Sequence, residues 1–355
     1  MKHFYKYLAI GFVIVFLVPT SINTFAGNKD RSGQAGASEL LINPWTRSSG
    51  WGSANMAKVK GLEAMWGNVA GVAFTNKTQV IFSHTQWLKG TGTSINAFGL
   101  SQRVGETGAI GLSVMSMAFG EIEITTTDSP DGGLGTYKPS LMNISLSYSK
   151  SFSNSIYGGI LVKIITETIA DVSATGFAID AGIQYVTGEN EQVAFGIALK
   201  NWGPKMQFSG DGLSLRALIP GQETQFTLEQ RSDAFEIPAQ LNIGFAYDFL
   251  FPKEMRLTLA GNFASNSFTK DQIAVGLEFA FKNIVMLRGG YTYENGMWDD
   301  INTSTNTNVN SGLSAGISVA VPLNKEKGSY IGIDYSFRET IAFNNTHSLG
   351  IILSF

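Results

Sequence analysis

"HSLGIILSF" (His347–Phe355) closes the chain, with Leu349, Ile351, Leu353 and Phe355 at every second position. Period two is the spacing of a β-strand, so these four side chains share one face. Soluble domains usually fray at their ends and keep large apolar groups away from them. This face therefore needs an apolar neighbour. The same alternation recurs upstream. Leu241, Ile243, Phe245, Tyr247 and Phe249 alternate with Asn242, Gly244, Ala246 and Asp248. Ile273–Phe281, Leu313–Val321 and Ile331–Phe337 repeat it, each with a large apolar face and a small, polar or charged face.

Composition narrows the choice. The 355 residues include no Cys, 40 Gly and 24 Phe, and only 15% are charged, below the roughly 25% of ordinary soluble domains. The 44% of hydrophobic residues excludes a disordered chain, and a net charge of −3 gives no sign of a nucleic-acid partner. Without Cys there is no thiol catalysis and no Cys-based metal site.

The amino-terminal stretch reads as a secretory signal. Lys2 and Lys6 precede the apolar run Leu8–Val18, then Pro19 and a small-residue end, with cleavage expected after Ala26. The apolar run is too short for a membrane-spanning helix, which needs about 20 residues. Residues 1–26 are thus assigned to a signal peptide, 27–77 to a separate amino-terminal segment, and 78–355 to the strand repeat.

About fourteen segments of roughly 10–14 residues follow one another from Thr78, far longer than the usual strand of about five or six. A tilted strand of about 9–11 residues crosses a bilayer, and strands survive in lipid only when closed into a barrel. The expected fold is an all-β, antiparallel transmembrane barrel of about fourteen strands. Aromatic residues at segment ends (Trp87, Tyr148, Tyr185, Trp202, Phe249, Phe251, Tyr291 and Tyr293) fit interfacial girdles. Charges inside segments, among them Lys163, Asp180, Lys200, Asp248 and Arg256, should face the lumen. Glu278, Arg288, Glu294, Asp334 and Arg338 belong with them, and mutual pairing that braces the lumen is the favoured reading. On alternation alone, Ile333→Arg should be damaging and Asp334→Asn mild. The longest connections, 123–136, 204–236 and 297–309, all fall at one end, as outer loops of bacterial barrels do.

Residues 27–77 lack the strand repeat. A polar stretch precedes "LLINPWTRSSGWGSANMA" (Leu40–Ala57) and "GLEAMWGNVAGVAFTNKTQVIFSHTQWL" (Gly61–Leu88), with a short helical stretch expected over Leu62–Trp66. So apolar a segment should pack inside an ample lumen as a hatch or plug. These two stretches resemble the opening of the PorV/PorQ family of Bacteroidota outer-membrane proteins, themselves similar to FadL-type barrels. The residues that carry the resemblance include Pro44, Arg47, Trp66, Asn68 and Gly71. Two departures stand out: Val69 occupies the family's usual Pro position after Asn, and Gly67 separates Trp66 from Asn68. The resemblance implies an outer-membrane barrel of the type IX secretion system. Its implied partners are the translocon, a sortase or the carboxy-terminal domains of cargo proteins. Phe355 matches the terminal aromatic that barrel assembly machinery recognises, and the apolar strand faces would meet outer-membrane lipid.

No chemistry-bearing constellation appears. His84 and His347 stand alone, without metal-ligand spacing, and no GxSxG or P-loop occurs. Asp128–Gly135 and Trp298–Asn308 lack EF-hand spacing and read as ordinary turns. No enzyme activity, cofactor or metal is therefore expected. Function should lie in the outer loops, above all 204–236, with Phe208, Leu213, Leu215, Leu218, Ile219 and Phe226 as partner-binding candidates. Closure of the barrel mouth by the same loop is nearly as strong a reading. The alternative function is FadL-like uptake of hydrophobic small molecules.

Overall fold

The computed structural model describes residues 31–221, 224–300, 306, 308–324 and 328–355. The expected signal peptide lies outside them. Among the described residues eighteen strands form, fourteen of which close a single barrel. The first half of the wall is β1 (Thr78–Gln86), β2 (Ser94–Val104), β3 (Gly108–Ala118), β6 (Ser140–Ser151), β7 (Ile156–Ile169), β8 (Val172–Thr187) and β9 (Val193–Trp202). The second half is β12 (Gln240–Phe251), β13 (Met255–Asn266), β14 (Gln272–Phe281), β15 (Val285–Glu294), β16 (Asn310–Asn324), β17 (Ser329–Thr340) and β18 (Thr346–Ser354). Two small hairpins, β4 (Ile122–Glu123) with β5 (Thr136–Tyr137) and β10 (Ser214–Leu218) with β11 (Gln225–Glu229), sit in connections. The barrel closes where β1 pairs antiparallel with β18, Phe82 opposite Ile351 and His84 opposite Leu349.

Alternation sets which side chains leave the wall. Ile333 is 61% exposed and Leu349 58%, while Asp334 between β17 neighbours is buried. Such a belt of bare Ile, Leu and Phe has no stable place in water, and in a bilayer it meets hydrocarbon. No helix among the described residues is long and apolar enough to cross a membrane. Aromatic residues ring the ends, with Tyr148, Tyr185, Phe251 and Phe355 at one and Trp202 and Trp298 at the other.

The connections alternate as expected. One end carries the short turns 105–107, 152–155, 188–192, 252–254 and 282–284. The tightest place consecutive non-glycine residues in the left-handed region, Lys282 (φ 53) and Asn283 (φ 51), which matches the twist of the flanking strands. The other end carries 119–139, 203–239 and 295–309.

Residues 31–77 fill the lumen. They run from the long-connection mouth, where Gly36 N–H donates to Glu236 O, to the short-turn end, where β1 begins. The helical stretch expected over Leu62–Trp66 is a 3-10 helix, Gly61–Met65, and similar short turns lie at Thr46–Ser49 and Val69–Phe74. Trp45, Leu62, Met65 and Val72 of this hatch form one core with Ile81, Ala97, Leu161 and Ile352 of the wall. That core explains strands whose inner face is also apolar. In β3, Ile110 and Leu112 point outward while Met115 and Met117 pack inside with Ile42, Trp87 and Leu141.

Candidate functional site

The hatch approaches the wall most closely where the inner face is glycine. A Cβ on Gly182 would overlap Asn68 Oδ1, one on Gly196 would sit 2.8 Å from Ala57 Cα, and one on Gly276 would sit 2.9 Å from the Trp51 ring. Among the hatch residues singled out from sequence, Asn68 has the most contacts. It is fully buried; its Oδ1 accepts from Ala70 N–H at 3.2 Å and caps the turn Val69–Phe74. Its Nδ2 donates to the carbonyl oxygens of Ile183 (3.0 Å) and Ile197 (3.4 Å) on β8 and β9. The Val69 carbonyl accepts a hydrogen bond from Ser149 Oγ at 2.6 Å. Gly71 packs so tightly on Val59 O that a Cβ would overlap it. Trp66 donates from Nε1 to Leu40 O at 3.3 Å and lies 3.4 Å from the buried Lys200 ammonium. Pro44 is buried beside Trp45.

Arg47 reaches Asp334 of β17 at 3.1 Å. Asp334 also accepts from Ser318, which accepts from Arg288 at 2.8 Å, and Arg288 pairs with Glu278 at 3.0 Å. Glu278 takes Arg256 on its other oxygen at 2.9 Å. Lys58 pairs with Asp248, and Lys163 with Asp180 at 2.8 Å. The lumen charges thus brace one another and clamp the hatch. The expectation that Asp334→Asn is mild is corrected on this geometry, because Asp334 is the counter-charge of Arg47. Two hatch carboxyls sit far from water. Burial pushes Glu63 up to about 7, partly opposed by Arg47, and Glu63 accepts from Ser48 Oγ at 2.8 Å. Burial also pushes Glu39 up to about 7, and Glu167 adds to the shift.

The connection 203–239 divides into two parts. Its ends close the long-connection mouth. Met206 and Ile237 pack with Ala37, Leu40 and Ile165, Phe208 stacks on Phe235 at 5.5 Å, and Glu236 pairs with Arg31 at 2.9 Å. Phe208 is half-buried against this cluster, unlike the exposed apolar residues further along the connection. The middle, β10–β11, is an amphipathic ribbon. Leu215 opposite Leu228 and Ala217 opposite Phe226 share one face, and Arg216 opposite Thr227 belongs to the other. Leu215 (45%), Phe226 (40%) and Leu228 (39%) stay exposed on it. Leu218 and Ile219 are exposed at the turn, and Leu213 is half-buried at the base.

At the opposite end the lumen is open. A cavity of about 810 Å³ lies below the hatch, reaching from Arg47, Glu63 and Trp51 to Lys60, Lys282 and Asn283 at the short turns. Sequence reading missed this vestibule and the glycine contacts. Inward-register Gly at positions 182, 196, 244 and 276 was the available signal for the contacts. Among the described residues no group of His, Asp and Glu could hold a metal ion, and His84 and His347 contact only Asn96 and Tyr335 through their ring nitrogens.

This geometry defines a FadL-like barrel, the fold of outer-membrane channels. The toluene transporter TodX of Pseudomonas putida superimposes with TM-score 0.51 at 12% identity, covering 86% of this chain and 96% of that one. The monoaromatic hydrocarbon channel CymD gives TM-score 0.51 at 12% identity over 89% and 98%. A FadL homologue of Pseudomonas aeruginosa gives 0.50 at 13% over 86% and 96%. Residues 205–355 match the profile of the family described as type IX secretion system membrane protein PorP/SprF. That match begins in the long connection 203–239 and runs through the second half of the wall. It does not include Leu40–Leu88, on which the resemblance to PorV/PorQ rests. No curated protein matches the chain.

Proposed function

We propose that the protein is an outer-membrane component associated with type IX protein secretion, which binds a partner protein or a cargo signal domain through β10–β11. The observation that carries this reading is the ribbon itself. A lone two-stranded hairpin is marginally stable in water, yet this one leaves Leu215, Phe226 and Leu228 uncovered on a single face. The profile match supports the secretion context, in a PorP/SprF-like rather than a PorV/PorQ-like form. In this reading the long connections face outside and the short turns face the periplasm.

The test is replacement of residues 214–229 by a short Gly/Ser linker, which leaves Met206, Phe208, Phe235 and Ile237 to seal the mouth. Heat-modifiable migration should be retained, with loss of co-purifying partners and of surface-exposed cargo. Normal cargo and partners beside an intact barrel would reject the reading. The uptake alternative draws on the named hydrocarbon channels of the same fold, and it predicts hydrophobe uptake by the intact barrel. Against it, the apolar hatch core fills the lumen between the two mouths.

A further inference from the structure

The vestibule at the short-turn end keeps cations at its rim once the bracing pairs Arg47–Asp334, Lys58–Asp248 and Arg256–Glu278 have formed. Five cations line it: Arg47, Lys58, Lys60, Arg256 and Lys282. The carboxylates that line it are Glu63, Glu254 and Glu278. Glu278 is shared between Arg256 and the buried Arg288, so one carboxylate answers two guanidinium groups. Arg47 and Arg256 each bind their carboxylate with part of the fork only. At the rim, Lys60 lies 4.0 Å from its nearest ion-pair partner, Glu191, and Lys282 makes no ion pair among the described residues.

We propose that this vestibule binds an acidic, extended peptide segment that enters from the short-turn side. The cavity volume of about 810 Å³ is in the range of dedicated ligand sites, roughly 300–1,000 Å³. The cations are distributed in depth. Arg256 is level with Ala280 on the neighbouring strand, and Lys282 lies two residues nearer the rim, about 7 Å at the rise of a strand. A single small anion cannot meet both, whereas carboxylates spaced along an extended chain can. Trp51, Phe74, Ile284 and Met286 between the charges give its side-chain stems an apolar wall. The site is at the opposite end of the barrel from β10–β11 and is independent of the secretion reading.

The test uses the full mature chain in lipid nanodiscs and a fluorescein-labelled hexaglutamate peptide read by anisotropy. Saturable binding is expected at low salt, with none for hexaserine. The double variant Lys60→Glu/Lys282→Glu should weaken it about tenfold or more. Lys89→Glu, at the other mouth, should leave it unchanged. Acetylation of Lys60 and Lys282 in the unaltered protein, read by mass spectrometry, should slow when hexaglutamate is present. Equal signals for hexaglutamate and hexaserine, or an affinity indifferent to the double charge reversal, would overturn the proposal. Competition by inorganic pyrophosphate at equal concentration would also overturn it, in favour of a small-anion site.

Discussion

Asn68 of the hatch and Ile183 of β8 are joined by a hydrogen bond of 3.0 Å from the side-chain amide to the backbone carbonyl, beneath the glycine at position 182. The contact ties a 3-10 turn of the hatch to the middle of the wall. It exists only because Gly182 and Gly196 leave the inner surface flat there.

Asn68→Ala removes the donor to two wall carbonyls and the cap of Val69–Phe74. A loss of about 1–3 kcal/mol is expected from the buried groups left unpaired. Gly182→Ala should cost about 1–3 kcal/mol by overpacking. Because both act on one contact, the double variant should fall short of the sum of the two. Urea unfolding of the refolded barrel in detergent measures all three.

Asp334→Asn should loosen the hatch, since Arg47 loses its counter-charge. Arg47→Ala should cost about 3–5 kcal/mol, because it leaves the Asp334 carboxylate buried and unpaired. The neighbouring Ile333→Arg acts by a different route, placing a cation against lipid at a cost of about 2–4 kcal/mol. Tryptophan fluorescence should separate them. Trp45, Trp51 and Trp66 of the hatch report the Arg47 and Asp334 changes, whereas the Ile333 change should appear as lost heat-modifiable barrel. Identical behaviour of all three would mean that the hatch is not separately anchored by this pair.

Glu39 and Glu63 predict a pH dependence of the hatch. Their folded values of about 7 lie above the ordinary 4.5, so the folded hatch holds protons that the unfolded chain has released. This contribution is full below about 4.5, declines as pH rises from 4.5 to 7, and is absent above that window. The urea midpoint by tryptophan fluorescence should therefore be higher at pH 5 than at pH 8. Glu39→Gln/Glu63→Gln should flatten the difference; an unchanged slope would locate the dependence elsewhere.

Phe355 lies in the aromatic ring of the short-turn end, 45% exposed, with its N–H donating to Thr78 O at 2.8 Å. If it is the assembly signal, deletion should lower the amount of barrel inserted by the cellular machinery while refolding into detergent stays efficient. Equal loss in both assays would assign Phe355 to closure of the β1–β18 seam instead.

Much of the wall was legible in the sequence because a membrane imposes a local rule. Each strand must present large apolar groups at every second position for its whole length, and Ile273–Phe281 or Ile331–Phe337 obeys that rule residue by residue. The fourteen strands, the alternation of short and long connections and the inward direction of Asp180, Asp248 and Glu278 follow from it. The partners inside the lumen were not legible. Arg47 with Asp334, Asn68 with Ile183, and the sharing of Glu278 by two arginines join residues far apart in the chain, and no local period records such pairings. The division of 203–239 was hidden for the same reason. Phe208 and Phe226 look alike in sequence, yet Phe208 stacks on Phe235 over the mouth while Phe226 stands on an uncovered ribbon. The sequence by itself determined a barrel with an apolar outside and a filled inside, since both follow from side-chain period and length. Only the tertiary structure decided which charges clamp the hatch, which mouth is sealed and which is open, because these depend on the depth the hatch reaches in the lumen.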